Sequence, residues 1–134
     1  MNLKQVTVVR KDLNMRKGKI ASQVAHGVLN VVVKTAINNG ERFFLDRKGD
    51  IKTKGDTYLN KWLDISYKKI VLYVESEEDL VMLYMKARSY DIISTLIQDN
   101  GLTEFNGEKT YTCVAFEPLP DEMIDEITGD LKLL

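Results

Sequence analysis

The fold is decided by a β-branched stretch near the start of the chain, Leu3-Lys4-Gln5-Val6-Thr7-Val8-Val9. This pattern predicts a β-strand, because β-branched side chains pack well in a pleated sheet. A second stretch of the same kind, Lys69-Ile70-Val71-Leu72-Tyr73-Val74, predicts another strand. Between them the sequence predicts a largely apolar helix from about Lys19 to Ile37, closed by Asn38-Asn39-Gly40. Strands linked through a helix favour parallel pairing.

Predicted strands and helices also follow one another in the remainder of the chain. Residues 43–45 and 51–53 flank a turn and predict a small hairpin, followed by a short helix around 56–63. Ser76 caps a helix that continues to about Ser89. Two further strands are predicted at 92–97 and 110–116, and a last helix at 120–129. This order predicts an α/β domain with a small mixed four-stranded sheet and helices on both faces, a three-layer α/β/α architecture.

Composition narrows the classes of protein. The 134 residues, 44% of them hydrophobic, predict one domain covering residues 1–134. A single cysteine, Cys113, excludes an internal disulfide and fits a reducing, cytoplasmic setting. One Cys and one His argue against a structural zinc site, which needs about four ligands. No signal-peptide run opens the chain, and Asn30 and Lys34 interrupt the first helix, so no membrane span is expected.

Charge is distributed unevenly along the chain. Residues 1–69 hold 15 Lys or Arg against 6 Asp or Glu, whereas residues 70–134 hold 4 against 14. One interpretation is a basic face that attracts a polyanion, and the other is that the two halves pair with each other in the folded domain.

Polar residues at the start of the first helix form one candidate site. Lys19, Gln23 and His26 are spaced so that they share a helix face. Together with the unpaired N–H groups of the helix start and the cations of Arg16 and Lys17, they could bind a phosphate or stabilise an oxyanion. The alternative is a solvated first turn with a core histidine.

Two further segments carry polar side chains near strand ends. Asp99 and Thr103 follow the third strand across an Asn-Gly turn, where the carboxylate could accept a proton and the hydroxyl could donate to a substrate oxygen. An ordinary turn between two strands is the alternative. In the fourth strand, alternation places Thr110 and Thr112 on one face and Tyr111 and Cys113 on the other, a pattern that strand packing alone explains.

Taken together, these segments resemble the archaeal and eukaryotic type of peptidyl-tRNA hydrolase. The matching strings are Val8-Val9-Arg10-Lys11-Asp12-Leu13, Met15-x-Lys17-Gly18-Lys19-Ile20-Ala21-x-Gln23-x-x-His26, Gln98-Asp99-x-Gly101-x-Thr103-Glu104 and the C-terminal Pro120-Asp121-Glu122-x-Ile124-Asp125-x-Ile127-Thr128-Gly129-x-Leu131-Lys132-Leu133-Leu134. They occur in the family's order and at near-family spacing. The resemblance covers residues 1–38 and 67–134, whereas 39–66 carries an insertion.

The resemblance implies an enzyme without metal or cofactor, usually a homodimer, that hydrolyses the ester between peptide and tRNA. The catalytic positions of the family fall on Lys19, Asp99 and Thr103. Further polar positions of the same site fall on Gln23, His26 and Thr112. The chain departs from the family at Gln98, where Arg is common, at Asn100, where Ala is usual, and around residues 106–109, where one residue is added.

In this interpretation Asp99 positions or deprotonates a water, Lys19 stabilises the oxyanion, and Thr103 bonds a substrate oxygen or fixes Asp99. Basic residues of the N-terminal half would contact tRNA phosphates, namely Arg10, Lys11, Arg16 and Lys17. Two alternatives remain at this point. One is a non-catalytic RNA- or protein-binding module on the same fold, and the other is an esterase for a related aminoacyl-tRNA ester.

Overall fold

The computed structural model describes residues 1–102 and 104–134, so the predicted site residue Thr103 lies outside the described residues. The strands are β1 (Leu3–Arg10), β2 (Phe43–Leu45), β3 (Ile51–Thr53), β4 (Lys69–Val74), β5 (Ser94–Asp99), β6 (Thr110–Phe116) and β7 (Leu119–Pro120). The α-helices are α1 (Lys17–Asn39), α2 (Tyr58–Ile65), α3 (Glu77–Ser89) and α4 (Asp121–Thr128). A short 3₁₀ turn, Lys11–Leu13, leads from β1 towards α1.

The main sheet has the order β4-β1-β6-β5, with β7 pairing beside the first residues of β1. β1 and β4 are parallel, and β5 and β6 are antiparallel, as the connections predicted. The sheet has five strands, so the prediction of four was wrong. The added strand β7 is two residues long and contains Pro120, which pairs opposite Leu3. The sequence did not predict β7, because two residues are too few to show an alternating pattern and because proline argues against a strand except at strand ends and sheet edges.

Helices cover both faces of this sheet and confirm the α/β class. Val6 and Val8 of β1 belong to the core cluster shared with α3 and α4, which includes Leu80 and Ile124. Val9 of β1 lies in the cluster packed by Ile20 and Val24 of α1. α2 adds Leu59, Trp62 and Leu63 on the α1 side, where they pack on Leu3 and Ala36. The core therefore consists of two apolar layers separated by the sheet.

The first helix differs from its prediction. Its small and β-branched residues cover most of the helix surface and predict a helix buried against the sheet, but only one stripe is buried: Gln23, Gly27, Val31, Thr35 and Ala36. Leu29 is 67% exposed and Ile37 75% exposed, both on the outer side. The sheet covers only one side of a helix, and the apolar outer side of α1 lacks a covering element in the described residues.

Element boundaries moved by a few residues. α1 begins at Lys17 rather than Lys19 and ends at Asn39, and the following Gly40 adopts the left-handed conformation typical of a residue that caps a helix end. The predicted hairpin is present, with Phe43–Leu45 pairing antiparallel to Ile51–Thr53. The third strand begins at Ser94 rather than Ile92, and its last residue is Asp99. Asp99 is thus held by the sheet rather than by the following loop.

By length and composition alone, α1 could cross a bilayer, because it has 23 residues and an 18-residue window with mean hydropathy 1.3. The expectation that Asn30 and Lys34 exclude this was too strong. Core helices of globular domains meet the same criterion, and the Gly27 stripe of α1 packs directly on β5 and β6.

Candidate active site

The start of α1 and the end of β5 meet at one edge of the sheet. α1 lies across β5 and β6 with an unusually close approach at Gly27, where an added Cβ would be 3.2 Å from the Cβ of Ala115. Because the helix axis lies this close to the sheet, side chains one and two helical turns before Gly27 can contact residues at the ends of β5 and β6. Gln23 is four residues before Gly27, and Lys19 eight, on the same side.

An ion pair joins the two elements. The Lys19 ammonium donates to Asp99 Oδ1 at 2.7 Å, and each side chain is only 13% exposed. A lysine and an aspartate this sheltered from water are seldom found without each other, because burial of a lone charge is costly. The predicted meeting of Lys19 and Asp99 is therefore present in the structure.

The second carboxylate oxygen of Asp99 is fixed by the loop. The backbone N–H of Gly101 donates to Asp99 Oδ2 at 2.8 Å. Gly101 has φ +79°, and an added Cβ would overlap the backbone of Glu108. Only glycine satisfies both the left-handed conformation and this close approach. Gly101 thus orients the carboxylate, a role that sequence reasoning did not assign.

Gln23 links Asp99 to β6. Its amide donates to Asp99 Oδ1 at 3.5 Å, and its Oε1 accepts a hydrogen bond of 2.6 Å from Thr112. Thr112 is fully buried, so this bond satisfies its hydroxyl.

A β-bulge aims Thr112 at the helix. The register of β5 and β6 shifts between Ile97 and Gln98, which leaves Thr112 without a partner in the strand pairing. Both Thr112 and Cys113 therefore contact Gln23, the latter through a weak Sγ bond to the Gln23 carbonyl at 3.5 Å. The expectation that alternation would place these two residues on opposite faces was wrong at this point. Bulges of this kind re-aim side chains beside active sites.

The electrostatics of the site keep Asp99 ionised. The hydrogen bond from Lys19 lowers the pKa of Asp99 below its ordinary value of 3.8, and the Gly101 N–H and the Lys19 charge act in the same direction. Burial opposes them without reversing the shift. By contrast, burial raises the pKa of Cys113 to about 12, so this thiol is not a nucleophile at neutral pH.

The other predicted site residues have no contact with this ion pair among the described contacts. His26 is exposed on α1, which excludes the core-histidine alternative. The Lys11 ammonium lies 4.4 Å from the centre of the Tyr73 ring. Arg16 is 91% exposed and Lys17 is exposed, both at the start of α1.

Arg10 is the least accessible of the predicted phosphate-binding cations. Its side chain is 12% exposed and pairs with Asp12 at 2.7 Å and Glu77 at 3.6 Å. Its guanidinium also donates to the Tyr111 carbonyl. A phosphate would have to compete with these two carboxylates for Arg10.

The loop after β5 adds two residues that were not singled out from the sequence. Glu104 accepts a hydrogen bond from the backbone N–H of Arg16 at 3.3 Å, which ties the loop to the start of α1. The ring of Phe105 lies with its centre 5.8 Å from the Lys19 ammonium. Glu104 stood inside the matching string, but a single carboxylate in a loop carries no signal that it would reach Arg16.

This arrangement is suited to hydrolysis by water. It places an oriented carboxylate and an ammonium side by side in a sheltered position, and these groups can hold a water and stabilise a developing oxyanion. In residues 1–102 and 104–134, no three His, Cys, Asp or Glu side chains are grouped closely enough to hold a metal ion.

Comparison with known proteins gives consistent matches. The family model described as "Peptidyl-tRNA hydrolase PTH2" matches residues 3–134. A protein named peptidyl-tRNA hydrolase from Metallosphaera sedula is 41% identical over 132 residues, covering 98% of this chain and 100% of that protein. A second from Sulfurisphaera tokodaii is 41% identical over the full length of both, and one from Saccharolobus solfataricus is 36% identical over 132 residues, covering 98% of this chain and 99% of that protein.

Among solved structures, a protein of unknown function from Agrobacterium tumefaciens is similar with a TM-score of 0.60. The similarity covers 100% of this chain and 98% of that one at 13% sequence identity. An identity this low shows the shared fold alone.

Proposed function

Because the chain belongs to the peptidyl-tRNA hydrolase PTH2 family and hydrolyses the ester that joins peptide to tRNA, we propose that Lys19, Asp99 and Thr103 perform this reaction. The observation that carries the proposal is the 2.7 Å ion pair between Lys19 and Asp99 at the junction of α1 and β5. Hydrolysis of this ester needs a positioned water and stabilisation of the tetrahedral oxyanion, and the pair offers a group for each.

Asp99 holds the attacking water. Its Oδ1 accepts from Lys19 and Gln23, whereas its Oδ2 accepts one described hydrogen bond, from Gly101. A carboxylate oxygen can accept about two hydrogen bonds, so Oδ2 has capacity for a water. The lowered pKa of Asp99 makes it a weak base, so its main role is to orient the water, and it takes up the proton of the water only as the new C–O bond forms.

Lys19 stabilises the negative charge that develops on the ester carbonyl oxygen. Its ammonium is a charged hydrogen-bond donor, and the bond to Asp99 Oδ1 holds it beside the carboxylate that positions the water. Thr103 bonds a substrate oxygen or fixes Asp99. Gln23 and Thr112 hold the carboxylate in place, because Thr112 donates to Gln23 and Gln23 donates to Asp99. His26 is exposed on α1, where it is accessible to a substrate.

The decisive experiment for the function compares two esters of the same tRNA. N-acetylaminoacyl-tRNA and free aminoacyl-tRNA are incubated with the protein, and release of tRNA is measured. We expect rapid hydrolysis of the N-blocked ester and slow hydrolysis of the free one. Equal hydrolysis of both would favour an esterase for aminoacyl-tRNA, and binding without hydrolysis would favour a non-catalytic RNA-binding module.

The pH dependence follows from the lowered pKa of Asp99. A carboxyl group whose pKa lies below 3.8 stays ionised throughout the range from pH 5 to pH 7. We therefore expect kcat/KM to show no loss from Asp99 on acidification to pH 5, and to decline only as the pH falls through the folded pKa. A pH–rate profile with an acidic limb near pH 6 that disappears in Asp99→Asn would contradict this assignment.

Cations at the start of α1 bind the tRNA backbone. Arg16 and Lys17 are exposed at the start of α1, two or three residues before Lys19, and Lys11 is exposed directly after β1. Arg10 contributes mainly by holding Asp12 and Glu77, given its burial. The proposal that this face binds tRNA rests on these exposed cations and on the positive balance of residues 1–69.

Salt dependence tests this interface. In Lys17→Ala the slope of log affinity against log salt should become shallower by roughly 0.7, the value of one single-strand phosphate contact. Lys61→Ala, which removes an equal charge from α2, should leave the slope unchanged. Binding of tRNA that does not respond to salt in the unaltered protein would exclude phosphate contacts as its basis.

We also propose that the protein is a homodimer. The exposed side of α1, the hairpin β2–β3 and the C-terminal residues line an apolar cleft of about 1470 Å³, with Leu29, Val33, Phe43, Phe44, Leu45 and Leu134 among its walls. Contiguous exposed apolar side chains of this kind often mark sites of association with another protein surface. A second copy of the chain, bringing the same apolar face, would cover it.

Two substitutions that each introduce one carboxylate, one inside the cleft and one outside it, test the proposed dimer. Leu29→Glu places a carboxylate in the cleft and should shift the protein to the monomer in sedimentation velocity. Met82→Glu lies on the opposite side of the domain with a nearly equal exposure, 68% against 67%, and should leave the oligomeric state unchanged. A monomeric unaltered protein at micromolar concentration would overturn the proposal.

The substrate arises where ribosomes translate, so we place the enzyme in the cytoplasm. The single buried Cys113 is compatible with a reducing compartment.

A further inference from the structure

One edge of the main sheet is open, and it leads to Asp99. β4 and β5 are the two outer strands. The outer side of β4 is covered by the C-terminal residues, because Tyr73 N–H donates to the Lys132 carbonyl and Leu134 N–H donates to the Val71 carbonyl. Among the residues described, no strand pairs with the outer side of β5.

The hydrogen bonds at the start of β5 show which backbone groups face outwards. The Ile93 carbonyl accepts from Glu117 N–H at 2.9 Å, so Ile93 faces β6. In an antiparallel pair, alternate residues direct both backbone groups at the partner. Ser94 and Leu96 therefore face away from β6. The Ser94 carbonyl already accepts from the Lys34 ammonium at 3.0 Å, which leaves Leu96 as the central outward residue of the edge.

The upstream end of this edge opens into a second cavity. It has a volume of about 680 Å³ and is lined by Ser94, Lys34 and Glu117, together with residues at the ends of α1 and α3. The Ser94 hydroxyl is buried and makes no hydrogen bond among the described residues. A polar cavity with an unsatisfied hydroxyl at the start of β5 indicates that an extended ligand can enter the edge from this end.

The substrate supplies such a ligand. We propose that the peptide part of peptidyl-tRNA binds in extended form along the free edge of β5, as an added parallel strand. This inference rests on the proposed function, because it takes Asp99 as the point where the ester is cleaved. The ester carbonyl ends the peptide, so a carbonyl placed at Asp99 makes the peptide run in the same direction as β5.

The register of this added strand follows from strand geometry. Leu96 lies three residues before Asp99, or roughly 10 Å at 3.3 Å per residue. Its N–H and carbonyl would therefore bond the peptide backbone about three residues before the ester. A peptide of five or six residues would extend roughly 17–20 Å and reach the cavity at Ser94. Recognition of this kind uses the peptide backbone and does not depend on the identity of the peptide side chains.

The experiment alters the substrate and leaves the protein unchanged. N-blocked hexapeptidyl-tRNAs are prepared with one peptide nitrogen methylated at a time, and KM and kcat are measured for each. A parallel added strand directs alternate N–H groups at β5. We therefore expect methylation at one or two alternate positions, two to four residues before the ester, to raise KM about tenfold, the effect of one lost hydrogen bond. Methylation at the intervening positions should leave KM within about twofold.

The outcomes separate the two proposals. Cleavage of the unmethylated substrate, and its loss in Lys19→Ala, measure the proposed hydrolysis independently of the edge. Equal KM at every methylated position would overturn the strand proposal, and so would a uniform rise at all positions, because a strand contacts only alternate N–H groups. An alternating rise in KM supports it.

Discussion

Replacing Lys19 by alanine should lower kcat for peptidyl-tRNA hydrolysis at least about a hundredfold. Removal of one preorganised donor to an oxyanion costs roughly a hundredfold to a thousandfold in turnover. The proposed mechanism makes Lys19 such a donor: its ammonium is held by Asp99 at 2.7 Å in a position only 13% exposed, where electrostatic interactions are stronger than in water. Single-turnover hydrolysis of N-acetylaminoacyl-tRNA measures the effect without interference from product release.

The control for Lys19→Ala is a lysine of equal charge that does not approach the site. Lys61→Ala on α2 removes the same charge and a surface ion pair with Asp56. It should retain wild-type turnover. Circular dichroism and the unfolding midpoint of both variants establish that the fold survives. Turnover of Lys19→Ala within about threefold of wild type would remove Lys19 from the mechanism.

Replacing Asp99 by asparagine should have an effect at least as large, about a hundredfold to ten-thousandfold in kcat. The amide has nearly the same shape as the carboxylate but carries no charge and is a far weaker base. It can neither receive a proton from water nor balance the Lys19 ammonium. The water and the oxyanion donor lose their alignment together, which is why this change should exceed the loss of the donor alone.

Asp130→Asn is the matched control for Asp99→Asn. Asp130 is an exposed residue in the turn after α4, so the same carboxylate-to-amide change there should leave turnover unchanged. In Asp99→Asn, KM should change less than kcat, because the proposed role is in the transition state rather than in tRNA binding. An Asp99→Asn protein with normal kcat and raised KM would reassign Asp99 to binding.

Much of the site could be predicted from local pattern. The spacing of Lys19 and Gln23 fixes them on one helix face, and the strand that ends at Asp99 is recognisable from its β-branched residues. Once α1 is known to cover the sheet, helix start and strand end must lie near each other. The hairpin at 43–53 was equally accessible, because its turn is marked by Asp46 and Gly49.

Other features depend on tertiary contacts that leave no local signal. The bulge that leaves Thr112 without a strand partner arises from the register in which β5 pairs with β6. The sequence of β6 alone shows only alternation, which assigns Thr112 and Cys113 to opposite faces. The close approach at Gly27 depends on the side chains of the strands below it. The exposure of the apolar outer side of α1 could not be predicted either, because the hydrophobicity of a helix does not reveal which element or which other chain covers it. The role of Thr103 stays a prediction.

The measurement that tests the central claim most directly is a double-mutant cycle on Lys19 and Asp99, read as single-turnover hydrolysis of N-acetylaminoacyl-tRNA. If the two side chains act as one unit, the variant carrying both Lys19→Ala and Asp99→Asn should be no slower than Asp99→Asn alone, within about threefold. Fully multiplied losses in the double variant, or wild-type turnover in either single variant, would contradict the account of hydrolysis by the Lys19–Asp99 pair.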